Sequence, residues 1–346
     1  MRKWGRRVRW PLWRCRGLHT LPVNVPKAPY DVLFCGTDHF ARKVLENFLK
    51  QPNLYRSLEV LTPPDAPQSW GGKRMRVSPV KQLAKEASIS HAQVPKEGMQ
   101  AYTLPGTIQN STAPLLLTVS FGHMIPPSIL QKFPTPSQAL NVHPSLLPQL
   151  RGAAPIQWAL AKQLPHTGVS IQQLAMHHFD TGRILAQTAI PIEKQTTYAM
   201  LSAQLAQIGA DLLVDVVTDL PELHRTAWDQ DPAQVSYAPK LRPSHAEARW
   251  EKWDANQIEA RMQAFCEQLR MTTTLVPASG NFPKARLYLL EGTALDANLA
   301  GQDRQTVAVL ADQPPGTAIY SERFQGIACL FAKKATDSGK TCAKRQ

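Results

Sequence analysis

Short apolar runs alternate with segments of helical periodicity from about residue 30 to residue 220. The first run ends at Gly36, and after it apolar residues recur every three or four positions, as they do on one face of a helix. Strands that alternate with helices at this pitch are typical of an α/β domain with a mostly parallel sheet. The apolar runs predict strands at 31–37, 58–61, 115–120, 139–142, 168–174 and 184–192.

The opening strand, glycine turn and helix form a Rossmann-like unit, and residues 30–220 are predicted to be the catalytic domain. The turn reads GTDHF rather than GxGxxG, so no dinucleotide site is predicted. One long helix is predicted over 196–220 and closes this domain. Residues 221–243 are rich in proline and polar groups, which is typical of a linker.

A smaller second domain is predicted over residues 244–330. Alternating segments such as Arg286–Leu290 and Val307–Leu310 indicate a β-rich fold, and a partly open barrel would accommodate strands of this length. The final segment, 331–346, is basic and poor in apolar residues. It is therefore predicted to be a disordered tail.

The charge of the chain is concentrated at its beginning. The formal net charge is +13, and eight basic residues precede the first acidic residue, Asp31. An arginine-rich, acid-free start with interspersed tryptophans predicts a mitochondrial presequence over residues 1–29; the alternative is a basic tail that binds nucleic acid. Without this segment, the rest of the chain carries a formal net charge of +5. This charge suits a polyanionic partner without requiring one.

Cysteine usage and hydropathy exclude some classes of protein. The five cysteines are scattered and form no CxxC pair, which argues against a disulfide framework and against a zinc site. We therefore predict a reducing compartment. No run of about 18 apolar residues occurs, so no transmembrane helix is predicted.

The polar residues of greatest chemical interest lie in the stretch LNVHPSLLPQLRGAAPIQ, residues 140–157. Asn141, His143 and Ser145 are spaced by two, which places them on one side of an extended segment. Proline at 144 and 148 argues against a helix here. A strand that ends in a polar cluster before a helix is where open α/β sheets bind their ligands.

An amide, an imidazole and a carboxylate together are suited to acyl transfer. The imidazole of His143 can carry protons near neutral pH, and the amide of Asn141 can stabilise an oxygen that becomes negative. The carboxylate could come from Asp180 or from Asp38. Ser145 is a conceivable nucleophile, but GxSxG is absent, so direct transfer between two bound substrates is favoured. The alternative is that His143 is a hydrogen-bonded structural residue.

A second candidate site is the loop 62–78, which is rich in proline and glycine and has a basic tip. Lys73, Arg74 and Arg76 lie close to Trp70. Such a tip could contact a phosphate backbone, with the indole as a stacking surface. The alternative is a solvated surface loop.

Several motifs together resemble the 10-formyltetrahydrofolate-dependent formyltransferases. NVHPSLLP followed by RGAAPIQ is similar to the signature of that family, and the longer RGAAPIQ run resembles its methionyl-tRNA branch. The resemblance covers roughly residues 30–310. Further matching stretches are FCGT at 34–37, SPVK at 78–81, SFG at 120–122, FDTG at 179–182 and YAPKL at 237–241.

The resemblance implies a function and a set of site residues. It implies transfer of the formyl group of 10-formyltetrahydrofolate to the α-amine of initiator methionyl-tRNA, in the mitochondrial matrix, by a monomer without a metal or a membrane anchor. It also implies that the second domain is an OB-like barrel that binds tRNA. The implied residues are a catalytic trio (Asn141, His143, Asp180), a folate-contacting loop (Ser145, Leu146, Leu147, Pro148) and tRNA contacts (Lys73, Arg74, Arg76).

Two departures from the family pattern lead to further expectations. The turn before Asp180 reads His177-His178-Phe179 instead of an apolar, glycine-containing turn, which would shift the acid slightly. After about Gly326 the chain lacks the expected closing strand and basic helix, so a truncated barrel is expected. The alternative functions are another folate-dependent formyltransferase or hydrolase, or a non-catalytic RNA-binding homologue.

Overall fold

The structure of the chain is a computed structural model. It describes residues 25–67, 75–249 and 252–275, together with four short strand segments near the C-terminus. The predicted presequence and the predicted tail therefore lie largely outside the described residues. The chain divides into two compact units. The described residues of the first unit are 25–67, 75–155, 166–192 and 199–239, and the remaining described residues form the second.

Fourteen strands and eight α-helices occur among the described residues. The strands are β1 Tyr30–Gly36, β2 Tyr55–Thr62, β3 Ala66–Pro67, β4 Met75–Arg76, β5 His91–Gln93, β6 Pro114–Val119, β7 Ala139–His143, β8 His166–Gln173, β9 Ile184–Pro191, β10 Thr272–Leu275, β11 Ala285–Tyr288, β12 Ala318–Ser321, β13 Gly326–Leu330 and β14 Thr341–Ala343. The helices are α1 His39–Leu49, α2 Pro79–Glu86, α3 Gly106–Gln109, α4 Pro127–Leu130, α5 Pro155–Ala161, α6 Tyr198–Thr218, α7 Leu220–Thr226 and α8 Ala255–Phe265.

The first unit is built on a seven-stranded mixed sheet with the order β5-β2-β1-β6-β7-β8-β9. The pairs from β5 to β7 are parallel, as the alternation of strands and helices predicts, whereas β8 and β9 are antiparallel. The antiparallel end was not predicted from the sequence. For the pair β8 and β9, the physical reason is that only about ten residues join the two strands, which is too few for a parallel crossover. This reason does not apply to β7 and β8, which are joined by a longer connection that contains α5.

The strand order predicts a ligand-binding crevice at the carboxyl ends of the central strands. β1 is buried along its whole length. The chain continues on one side of it with β2 and β5 and then returns to its other side with β6. Such a reversal of strand order opens a crevice outside the strand ends. Asp38 begins α1 there, because its carboxylate accepts a hydrogen bond from Ala41 N at 3.0 Å. Phe40, Val44 and Phe48 then bury one face of α1.

Helix α6 packs against the sheet of the first unit. By length and composition alone it could cross a membrane. The buried residues Leu201, Leu205 and Leu213 lie on one face of α6. A Cβ atom added at Gly209 would lie 3.1 Å from Val142 Cγ1, so the helix approaches β7 closely. These contacts make α6 a core helix of this unit.

The predicted long helix over 196–220 is wrong at its C-terminal end. It ends at Thr218, and a separate helix, α7, begins at Leu220. Pro221 explains the break, because it lacks the backbone N–H that would continue α6, whereas a proline is tolerated in the first turn of a new helix. The segment predicted to be a linker thus contains most of α7, and its residues up to 239 belong to the first unit.

The second unit contains α5, α8 and two small antiparallel sheets. The ring of Trp158 lies edge-on to Phe265 with a centroid separation of 5.8 Å. Helix α8 begins with a capping box formed by Asp254 and Gln257. Strand β10 pairs with β11, and β13 pairs with β12 and β14. Most residues between these strands lie outside the described part of the chain.

Candidate active site

The candidate catalytic residues lie at the carboxyl end of β7, next to the crevice. Asn141 and His143 belong to β7, and Asp180 lies in the turn between β8 and β9. Asn141 is in register with Thr118 of β6 and Gln172 of β8. The three side chains of the predicted trio therefore meet at one place in the fold, although 39 positions separate Asn141 from Asp180.

The carboxamide of Asn141 is hydrogen-bonded on both sides. Its Oδ1 accepts from Thr118 Oγ1 at 2.9 Å, and its Nδ2 donates to Asp180 Oδ1 at 3.4 Å. The side chain is half-buried. An amide N–H in this position can also donate to an oxygen atom of a bound substrate.

The imidazole of His143 is only 4% exposed and lies between two oxygen atoms. Its Nε2 is 3.0 Å from the carbonyl oxygen of Leu150, and its Nδ1 is 3.4 Å from Asp180 Oδ1. A carbonyl oxygen can only accept, so Nε2 carries a proton in the neutral ring. Nδ1 faces the carboxylate of Asp180, which would hold a proton that is taken up at this nitrogen.

Asp180 is fixed by donors on both of its carboxylate oxygens. Oδ1 accepts from Gln172 Nε2 at 2.9 Å, and Oδ2 accepts from the backbone N–H of Gly152 at 2.9 Å. The backbone of Asp180 is left-handed, with φ 58°, a conformation that aspartate tolerates better than most residues. Asp38, the other candidate acid, is instead the N-cap of α1.

Gly152 is required by the close approach of two loops. Its φ is 120°, and an added Cβ would lie 2.7 Å from the carbonyl oxygen of Ala238. Ala238 in turn donates to Arg151 O and accepts from Ala154 N. Only glycine fits this geometry without strain, so the RGAAP turn can present its N–H to Asp180.

Gln230 joins the loop of Asp180 to Arg151, and sequence reasoning did not single it out. Its Nε2 donates to the carbonyl oxygens of Asp180 and Gly182 at 2.9 and 2.8 Å. Its Oε1 accepts from Arg151 Nε and Nη2 at 3.0 and 2.6 Å. Gln172 was missed as well. Neither glutamine lies in a motif that indicates chemistry, and Gln230 falls within the predicted linker.

The Ser145–Pro148 loop is held tightly beside β7. Ser145 is 1% exposed and donates its hydroxyl to Gln149 O at 2.6 Å. This bond occupies the hydroxyl proton, which argues against a role as a nucleophile. The N–H of Leu147 donates to Ser170 Oγ at 3.0 Å, and Leu147 and Pro148 are buried whereas Leu146 is partly exposed.

The predicted basic tip is only partly described. Lys73 and Arg74 lie outside the described residues, whereas Arg76 is exposed on β4, which pairs with β3. The base of the loop is anchored by an ion pair in which Lys81 Nζ lies 2.6 Å from Asp65 Oδ2.

In the described part of the chain, no three His, Cys, Asp or Glu side chains are grouped as a metal site would require.

Comparison with known proteins identifies the family. The formyl transferase family model matches residues 31–217, which is more than half of the chain. A mitochondrial methionyl-tRNA formyltransferase of Mus musculus is 35% identical over 67% of this chain and 56% of the relative. A methionyl-tRNA formyltransferase of a Synechococcus strain is 35% identical over 68% of this chain and 71% of the relative. The mitochondrial relative of Homo sapiens is 30% identical over 86% of this chain and 70% of its own length.

Solved structures with low sequence identity share the fold. A sugar 3N-formyl transferase crystallised with dTDP and 5-N-formyl-THF has a TM-score of 0.56 at 15% identity, over 91% of this chain and 97% of its own. An N-formyltransferase from Helicobacter canadensis, in complex with folinic acid and dTDP-3-aminofucose, has a TM-score of 0.56 at 16% identity, over 91% and 99%. These two structures support the fold alone. The match to the family model and the identity with the relatives show the family: the chain belongs to the formyl transferase family of enzymes.

Proposed function

We propose that this enzyme transfers the formyl group of 10-formyltetrahydrofolate to the α-amine of initiator methionyl-tRNA. The observation that carries the proposal is the meeting of Asn141, His143 and Asp180 at a strand end in a member of the formyl transferase family. The names of the relatives support methionyl-tRNA as the acceptor. The mitochondrial names among them, with the basic start of the chain, support a matrix protein with a presequence over residues 1–29.

The proposed reaction is a direct transfer between two substrates. The amine nitrogen attacks the formyl carbon, a C–N bond forms, and the formyl oxygen becomes negative. Collapse then breaks the bond between that carbon and N10, so the amine loses one proton and N10 gains one. Asn141 Nδ2 stabilises the negative oxygen, and His143 Nδ1 carries the proton while Asp180 stabilises the charged ring.

The folate is proposed to lie against the loop of Ser145, Leu146, Leu147 and Pro148. This loop is adjacent to His143 and is fixed by buried hydrogen bonds, so it offers a preformed surface. Two structural neighbours carry formyl-THF or folinic acid, which supports a folate as the formyl donor. No metal takes part in the proposed reaction.

The acceptor tRNA is proposed to contact Lys73, Arg74 and Arg76, and a second domain that forms an OB-like barrel over residues 244–330. Phosphate contacts from Lys and Arg supply affinity that falls steeply with salt. The catalytic domain would span 30–220, joined to the barrel by residues 221–243 and followed by a basic tail over 331–346. The enzyme is proposed to act as a monomer without membrane attachment.

The test of the proposed function is formylation of charged tRNA by the purified chain. With 10-formyltetrahydrofolate as donor, the initiator methionyl-tRNA should be formylated faster than the elongator methionyl-tRNA. His143→Ala should lower kcat by about 10²- to 10⁴-fold, the usual contribution of an acid–base residue, with little change in tRNA affinity. His166→Ala, at an exposed position on β8, is the matched control.

Three results would contradict the proposal. Formylation of an amino sugar nucleotide but not of methionyl-tRNA would indicate a different acceptor. Release of formate without an acceptor would indicate a hydrolase. Binding of tRNA without turnover would indicate a non-catalytic RNA-binding protein.

The role of the basic loop has its own test. Neutralising Lys73, Arg74 and Arg76 together should raise the KM for tRNA. It should also make KM less dependent on salt: the slope of log KM against log salt concentration should fall by roughly 0.7–0.9 for each phosphate that is no longer neutralised. A control variant should neutralise three exposed lysines elsewhere in the first unit, namely Lys50, Lys96 and Lys132. Equal slopes for the two triple variants would exclude the loop as the contact.

A further inference from the structure

Three polar side chains form a row across the centre of the sheet. Thr118, Asn141 and Gln172 are in register on β6, β7 and β8. Residues in register on neighbouring strands project from the same face of a sheet, so all three side chains lie on the face that Asp180 approaches. Thr118 and Gln172 are 4% and 1% exposed, respectively. Polar groups are costly to bury at such positions unless their hydrogen bonds are satisfied.

The hydrogen bonds determine which way the Asn141 carboxamide faces. An ionised carboxylate can only accept, so the atom of Asn141 that faces Asp180 must be the donor, Nδ2. Oδ1 then faces Thr118 Oγ1 at 2.9 Å, and the hydroxyl of Thr118 must donate. The backbone carbonyl oxygen of Leu140, at 3.2 Å, is the other acceptor near that hydroxyl. A flipped carboxamide would instead place its oxygen against the carboxylate.

The same argument orients Gln172. Its Nε2 donates to Asp180 Oδ1 at 2.9 Å, and its Oε1 faces Gln230 Nε2 at 3.4 Å. Since both carbonyl partners of Gln230 are acceptors, its nitrogen must face them and its oxygen must face Arg151. The orientations of the side-chain amides of Asn141, Gln172 and Gln230 are therefore mutually consistent.

We propose that Thr118 and Gln172 are positioning residues for formyl transfer, each fixing one member of the catalytic trio. Thr118 holds Oδ1 of Asn141, so that Nδ2 remains directed toward the reacting oxygen. Gln172 holds Oδ1 of Asp180, so that the carboxylate remains against His143. The proposal rests on the proposed function, in which these groups act on the formyl group. Neither residue touches the substrates in this scheme.

The test for Thr118 compares Thr118→Val with Thr118→Ser. Valine keeps the shape but removes the donor, so kcat should fall about tenfold, which equals about 1.4 kcal/mol, whereas KM for both substrates should stay within twofold. Serine restores a hydroxyl, and kcat should recover to within about twofold of the wild type. Thr167→Val is the matched control, because Thr167 is a buried threonine of β8 whose hydroxyl has no hydrogen-bond partner among the described residues.

The test for Gln172 compares kcat with KM. Gln172→Met keeps the length of the side chain but removes its donor from the Asp180 carboxylate. The maximal kcat should fall several-fold, whereas KM for both substrates should stay within twofold. A purely structural role for Gln172 would change stability without this split between kcat and KM.

Crystal structures of Thr118→Val and Thr167→Val make the test independent of turnover. The Asn141 carboxamide should be rotated or split between two orientations in the first and unchanged in the second. Unchanged Asn141 geometry together with wild-type kcat in Thr118→Val would overturn the positioning role. A wild-type enzyme that fails to formylate methionyl-tRNA would refute the proposed function instead, and the orientation of Asn141 in the variant would still decide whether Thr118 fixes it.

Discussion

Replacing Gln230 with leucine tests whether the segment after α7 is part of the active-site structure. Leucine has a similar size but cannot donate or accept. The change removes both hydrogen bonds to the backbone carbonyls of Asp180 and Gly182 and both bonds from Arg151. A simple linker would tolerate the loss of one polar side chain.

The size of the effect follows from these hydrogen bonds. Each carbonyl bond contributes about 1 kcal/mol, and the bidentate bond to the charged guanidinium about 1.5–3 kcal/mol. Because Gln230 is partly exposed and water replaces some of the missing bonds, the free energy of unfolding should fall by about 3 kcal/mol. For a domain of this size, that corresponds to a fall in Tm of about 6–12 °C.

The assay is thermal unfolding, with kcat measured on the same samples. Gln234→Leu is the control, since Gln234 lies in the same segment but is exposed and bonds only to Asp231 among the described residues. Its Tm should stay within about 2 °C of the wild type. Because the Asp180 loop is released, Gln230→Leu should also lower kcat. Equal Tm and kcat for the two variants would refute the reasoning.

Three further predictions concern stability and reactivity. Gly152→Ala should lower both Tm and kcat, since φ is 120° and the new Cβ would meet a carbonyl oxygen at 2.7 Å. Burial acts to raise the pKa of the Asp31 carboxyl, but hydrogen bonds from Arg56 and two serines outweigh this effect, so the pKa is lowered. In urea unfolding, the free energy of unfolding of the wild type should therefore exceed that of Asp31→Asn above about pH 4. This difference should vanish in stronger acid. Cys35 is buried, which raises the pKa of its thiol, whereas Cys266 is exposed. Peptide mapping of the native protein after iodoacetamide should therefore find Cys266 alkylated and Cys35 intact.

Local patterns were sufficient to predict most of the first unit. Apolar runs located the central strands, because a parallel strand is buried on both faces and must be apolar along its length. The spacing of Asn141 and His143 placed both on one strand. The strands β8 and β9 were predicted, but their antiparallel direction and the break that separates α7 from α6 were missed, because these features depend on chain connections and on a proline rather than on periodicity.

The sequence by itself determined the α/β class, the strand that carries the polar cluster and, through its motifs, the formyl transferase family. The tertiary structure decided which acid lies against His143: Asp180 faces the imidazole, whereas Asp38 caps a helix. It also brought Thr118, Gln172 and Gln230 to the site. Thr118 and Gln230 bond to residues that are distant in sequence, and Gln172 reaches Asp180 across the turn between β8 and β9. Such pairings follow from strand order and loop approach, which no local pattern encodes.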